Sequence, residues 1–250
     1  IFSPKVYSHT TLAGSKFYGR QRFESSDSWF EWNNEITDVT GETDFTYYAN
    51  ARNTFEFGLE AKFFDAFLEG ISSDYLFGHN DYKGNILSIY AADDYRLTEK
   101  WTVSPGVRFE HYSITKSEEL LPRLAARRDL APGMYVSGAW GLYTQYLQQM
   151  RVGDQESLFD SYAPLSDRFG IARGQQFALS FVDDSLGRFK LSGGAYYKNF
   201  QNIVQLDVFE AKDDGDTDLE DYVRPGKGYA YGMDLTIGGT FGKYDMSLGY

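Results

Sequence analysis

From Asn85 to Ser113 the chain reads NILSIYAADDYRLTEKWTVSPGVRFEHYS: two long runs of alternating apolar and polar residues joined by Thr98-Glu99-Lys100. Leu87, Ile89, Ala91, Tyr95 and Leu97 fall on one parity, with Asp93 as the exception; Ser88, Tyr90, Asp94 and Arg96 fall on the other. After the turn, Trp101, Val103, Val107 and Phe109 oppose Thr102, Ser104, Arg108 and Glu110. Period two is the signature of a β-strand whose faces meet different surroundings. Pro105 on the apolar parity predicts a weak point in the ladder, because it cannot donate a hydrogen bond.

The same unit recurs. Pro122, Leu124, Ala126 and Leu130 alternate with Arg123, Ala125 and Arg127; Val136, Gly138, Trp140 and Leu142 alternate with Ser137, Ala139, Gly141 and Tyr143. Phe177, Leu179 and Phe181 precede a turn, and Phe189, Leu191, Ala195 and Tyr197 follow it against Lys190, Ser192, Tyr196 and Lys198. Met233, Leu235 and Ile237 then lead through TFGK to Tyr244, Met246 and Leu248. The connections alternate between tight turns (ANARN, TEK, DLAPG, DDSLG, TFGK) and long polar stretches (Ser72–Gly84, Met150–Arg173, Asn202–Gly226). One short helix is expected between Tyr146 and Phe159.

Short turns on one side, long loops on the other and strands of at least about 9–11 residues fit a transmembrane β-barrel, which needs every backbone group paired inside lipid. Eleven or so strands are expected, as one part of a large antiparallel barrel. Aromatics flank the tight turns as pairs, Tyr95 with Trp101, Phe181 with Phe189 and Phe241 with Tyr244, where an interfacial girdle would lie. No apolar run approaches the roughly 20 residues of a membrane helix. The formal net charge of −12 speaks against a nucleic-acid partner, since a phosphate-binding surface is basic. The absence of cysteine removes thiol chemistry and disulfides.

Several stretches resemble the barrel of TonB-dependent outer-membrane receptors. YAADDYRLTEKWTVSPGVRFEHYS resembles the family's Y-A-x-D-x-[WY]-R-L hairpin with its G-x-R-[YF]-E return strand, and LPRLAARRDLAPGMYVSGAWGLYTQY the P-R-L-x-x-R hairpin that follows. LSDRFGIARGQQFALSF, GAYYKNFQNIV and GYAYGMDLTI are similar to later strands. Arg128 departs from the pattern, which usually has an aromatic there; this places it at the membrane edge, where its guanidinium can snorkel. The resemblance implies a barrel of about 22 strands, filled by an N-terminal plug, that imports a scarce nutrient (siderophore, vitamin, glycan or peptide) across the outer membrane of a Gram-negative bacterium. It also implies energy from a TonB complex acting through that N-terminal part, with a surface lipoprotein as an accessory partner. Plug, TonB box and closing strand are not recognisable in the sequence, so an interior piece of a longer chain is expected. A passive plugless barrel and a soluble β-rich carbohydrate-binding module are the alternatives.

By parity Arg108, Glu110, Arg123 and Arg127 face away from lipid, to line the lumen or meet the plug. Tyr143, Gln145, Tyr196 and Lys198 lie toward the long-loop end of lumen-facing strands and are the candidates for touching a ligand. Asp213, Asp214, Asp216 and Asp218, within the acidic run to Asp221, could attract calcium but lack the EF-hand order, so a solvated loop is the expectation and no metal or cofactor is assigned. His9, His79 and His111 are isolated, and no nucleophile elbow, carboxylate pair or phosphate loop marks an enzyme.

Overall fold

The computed structural model describes residues 3–24, 26–72, 76–150, 161–206 and 223–250. Strands β1 (Val6–Glu24), β2 (Trp29–Tyr48), β3 (Asn53–Ser72), β4 (Leu76–Arg96), β5 (Trp101–Tyr112), β6 (Ser117–Ala131), β7 (Met134–Gln145), β10 (Ala172–Asp183), β11 (Phe189–Leu206), β12 (Val223–Phe241) and β13 (Tyr244–Gly249) form one open antiparallel sheet in chain order. Between β7 and β10 the chain makes a separate hairpin, β8 (Leu147–Met150) with β9 (Ser161–Pro164). No helix among the described residues is long and apolar enough to cross a membrane, which says nothing about crossing by strands.

The expected tight turns all join neighbouring strands. The long stretches are different. Ser72–Gly84 is mostly ladder, because β4 starts at Leu76 and pairs with β3 up to Ile71. The β5–β6 connection is only residues 113–116, so long loops are not the rule on that side. The expected helix over Tyr146–Phe159 is corrected for residues 147–150, which pair as β8 with β9; residues 151–160 lie outside the described residues, as do Asp213, Asp214, Asp216 and Asp218. Pro105 weakens the ladder as expected: β4–β5 pairing runs to Ala92↔Gly106 and resumes only at Tyr95↔Val103.

Cross-strand partners share a face, so the register sorts every side chain. Along the outer face run rows such as Leu59–Ile89–Phe109–Leu120 and Leu124–Trp140–Phe177–Tyr197–Tyr231. Leu59, Ile89, Leu120 and Leu179 are exposed there, up to 68% for Leu179. An apolar band of roughly nine residues per strand, at about 3.3 Å per residue and a tilt near 40°, rises about 23 Å, close to the hydrophobic height of an outer-membrane barrel.

Beyond that band β1–β4 continue upward and their polarity reverses. The outer row becomes Lys16–Thr37–Asp65–Lys83, while the inner row becomes Phe17–Ile36–Ala66–Tyr82. Ile36, Ala66 and Leu68 are buried, and outside them Lys16 pairs with Glu35 at 2.6 Å and Lys83 with Asp65 at 3.5 Å. Residues that face lipid or water below thus give way to an ordinary water-outside, core-inside arrangement above.

Candidate functional site

The inner face of the sheet carries the polar parity. Within the band, Arg108 on β5 reaches across β4 to Glu60 on β3 (Nη2 to Oε2, 2.9 Å) and along its own strand to Glu110 (Nε to Oε1, 2.6 Å). Glu110 also accepts hydrogen bonds from Tyr146 Oη at 2.7 Å and from the Thr144 hydroxyl. Above it, Tyr112 is fully buried between Phe64 and Tyr146, with ring centroids at 6.2 and 4.6 Å, and Ile86, Ile114 and Ile171 complete the cluster. Burial and the bond to Glu110 push the Tyr146 phenol up, so it stays a donor at neutral pH.

Thr144 and Arg173 lie on the parity opposite to Tyr143, yet they reach the inner-face carboxylates Glu110 and Glu119; Arg173 grips Glu119 with Nε at 3.0 Å and Nη2 at 2.5 Å. The cause is local. The β6–β7 ladder ends at Arg123↔Gly141; above that point β7 pairs only with β10, which goes on pairing with β11 as far as Arg173↔Gln201, and this group of strands is free to turn relative to β6. Parity predicts side-chain direction only while the ladder lasts.

The β8–β9 hairpin folds over this inner face. Asn34, 1% exposed, treats the backbone of β9 as an amide would: its Nδ2 donates to Tyr162 O at 3.0 Å and its Oδ1 accepts from Tyr162 N at 2.9 Å, while Nδ2 also donates to Phe67 O at 3.1 Å. At the other side Gln148 Oε1 accepts from Val204 N at 2.8 Å. This bond follows the break in β11–β12 register between Gln201 and Ile203, where Asn202 takes a positive φ of 56° and donates to Ile171 O. In a flat sheet β2 and β11, seven strand steps apart, would stand about 34 Å from each other. Two side chains and one ladder step fall well short of that, so the sheet is concave and the hairpin roofs its hollow.

Of the residues expected to face the lumen, Arg108 and Glu110 sit together in this network. Arg123 packs over Tyr143 at 4.7 Å, and Arg127 pairs with Asp129 at 2.8 Å and covers Tyr135 at 3.7 Å. Tyr143 and Gln145 are exposed, and Gln145 Nε2 donates to Leu147 O at 2.9 Å. Lys198 lies 5.2 Å from the ring of Tyr196, which itself fills the space a side chain on Gly232 would need. The two candidate pairs lie on strands separated by β10. Glu60, Glu119, Thr144, Tyr146 and Arg173 were not singled out by sequence. Glu60 and Glu119 alone carried a signal, their parity within alternating strands. Among the described residues no group of acidic or histidine side chains is arranged to hold a metal ion.

A concave antiparallel sheet, greasy outside over one bilayer height and charged inside, defines the wall of a large outer-membrane-type barrel. The chain belongs to the TonB-dependent receptors: the family model described as "TonB dependent receptor-like, beta-barrel" matches residues 2–250. Solved structures agree in fold. The ferric yersiniabactin uptake receptor FyuA from Yersinia pestis has a TM-score of 0.66 at 11% identity, over 99% of this chain and 40% of that one. The ferripyoverdine receptor of Pseudomonas aeruginosa bound to ferripyoverdine gives 0.65 at 12%, over 98% and 37%. The RagAB peptide importer gives 0.58 at 10%, over 99% and 34%. This chain therefore spans about two fifths of these proteins or less. No curated protein matches it by sequence.

Proposed function

We propose that the chain forms part of the wall of an active importer in the outer membrane of a Gram-negative bacterium, taking up a scarce nutrient with energy delivered through TonB. The observation that carries this reading is the sidedness of the sheet, apolar outward and charged inward, in a chain of this family. The siderophores and peptide named with its structural neighbours support an iron chelate or a peptide as cargo; vitamins and glycans are further candidates. Tyr143, Gln145, Tyr196 and Lys198 are proposed to meet the cargo, and Arg123 and Arg127 to meet the plug.

The test is uptake by the complete receptor in a deletion strain offered candidate nutrients, with and without TonB. Saturable uptake that stops when TonB is deleted is expected. Uptake that is linear in concentration and indifferent to TonB would identify a passive pore instead.

A further inference from the structure

On the outer face, close to the short-turn edge, two neighbouring rows differ from the rest of the band. Val103–Ala126–Gly138–Leu179–Ala195 and Trp101–Arg128–Val136–Phe181–Gly193 place small residues side by side. Ala126, Gly138, Gly193 and Ala195 make the floor of a groove of about 470 Å³, with Leu179, Phe181, Val136 and Trp101 rising around it. Its lining is almost wholly apolar apart from Arg128 at one end.

Arg128 is the unusual element. Its neighbour Arg127, on the inner face, has Asp129; Arg108 has Glu60 and Glu110; Arg173 has Glu119. Arg128 has no carboxylate partner among the described residues and rests 5.5 Å from the ring of Trp101. A cation on the lipid side is costly unless it reaches the interface, and there the available anion is a lipid phosphate. A guanidinium beside an amphipathic indole, at the mouth of a groove wide enough for a hydrocarbon chain, joins both parts of a lipid in one place.

We propose that this groove is a binding site for one phospholipid, an acyl chain lying over Gly138 and Gly193 and the phosphodiester held by Arg128 and Trp101. The inference rests on the outer-membrane reading, in which the short turns, and with them Arg128, lie at the periplasmic leaflet. That leaflet is why the occupant is a phospholipid and not the glycolipid of the outer leaflet.

The experiment is native mass spectrometry of the complete receptor, folded in detergent, titrated with phosphatidylglycerol, diacylglycerol or lipid A. Arg128→Gln should weaken phosphatidylglycerol binding about fivefold, as expected for one cation at a membrane surface. Arg128→Lys should retain most of it, and Lys243→Gln, at a distant turn, should change nothing. Gly193→Leu should weaken binding by filling the floor; a Cβ there meets nothing closer than 3.5 Å, so the barrel should still fold, and Gly193→Ala is the milder variant. Diacylglycerol binding as tightly as phosphatidylglycerol, or no effect of Arg128→Gln or Gly193→Leu, overturns the proposal. Lipid A competing with the same dependence on Arg128 overturns the choice of a phospholipid. Uptake needs no part in this readout, so failure of the lipid site and failure of the transport reading are separately visible.

Discussion

Glu110 binds one guanidinium and two hydroxyls within a half-buried network, so its removal leaves three donors short of an acceptor. Because Arg108 keeps Glu60, the loss should stop short of the roughly 3–5 kcal/mol of a fully stranded buried charge. We expect Glu110→Ala to cost about 2–3 kcal/mol and Tyr146→Phe, which keeps the ring stack, about 1 kcal/mol. Urea midpoints of the folded receptor measure both. Equal effects of the two variants would show that Glu110 matters only through Tyr146. Parity of the alternating strand placed Arg108 and Glu110 on the inner face, but it could not show that Glu60, distant in sequence, completes their bonding. Nor could it find Thr144 and Arg173, whose direction depends on where one ladder ends.

At the scale of elements, the sheet was readable and its roof was not. Each strand–turn–strand unit writes its own pattern, since period two and turn chemistry are local. The β8–β9 hairpin is too short to show a period, and its anchors, Asn34 and Gln148, lie on distant elements or bond to them. The upper part of β4, Leu76 to Gly84, was read as loop for a related reason: apolar residues change face there, so a pattern followed from below dissolves. Asn34→Ala should free β9 while sparing the β2–β3 ladder, at a cost of about 1–3 kcal/mol for the unmet backbone groups. Hydrogen exchange checks this: Tyr162 should lose protection and Ile36 should keep it. Faster exchange in both would mean that Asn34 holds the sheet and not its roof.

At the scale of the whole molecule, the same strands serve two solvents in succession, and a cross of four substitutions tests that. In the band, Ile89→Arg places a charge against hydrocarbon and should cost about 2–4 kcal/mol near the midplane, whereas Gln176→Arg on the inner face should cost little. Above the band the order should reverse: Thr37→Arg, on the outer face, meets water, while Ile36→Arg, on the inner face, forces a charge into the packed layer under the hairpin. Burying an unpaired charge is among the few single changes that cost more than surface substitutions by several kcal/mol. Folding yield into lipid vesicles and urea stability of the complete receptor separate the two layers, since the first reads the band and the second reads both. A barrel uniform along its height would rank outer-face arginines as the damaging ones at both levels. The reversal between Phe63 and Asp65, with Phe64 joining the buried ring cluster between them, is what makes the opposite ranking the expected one.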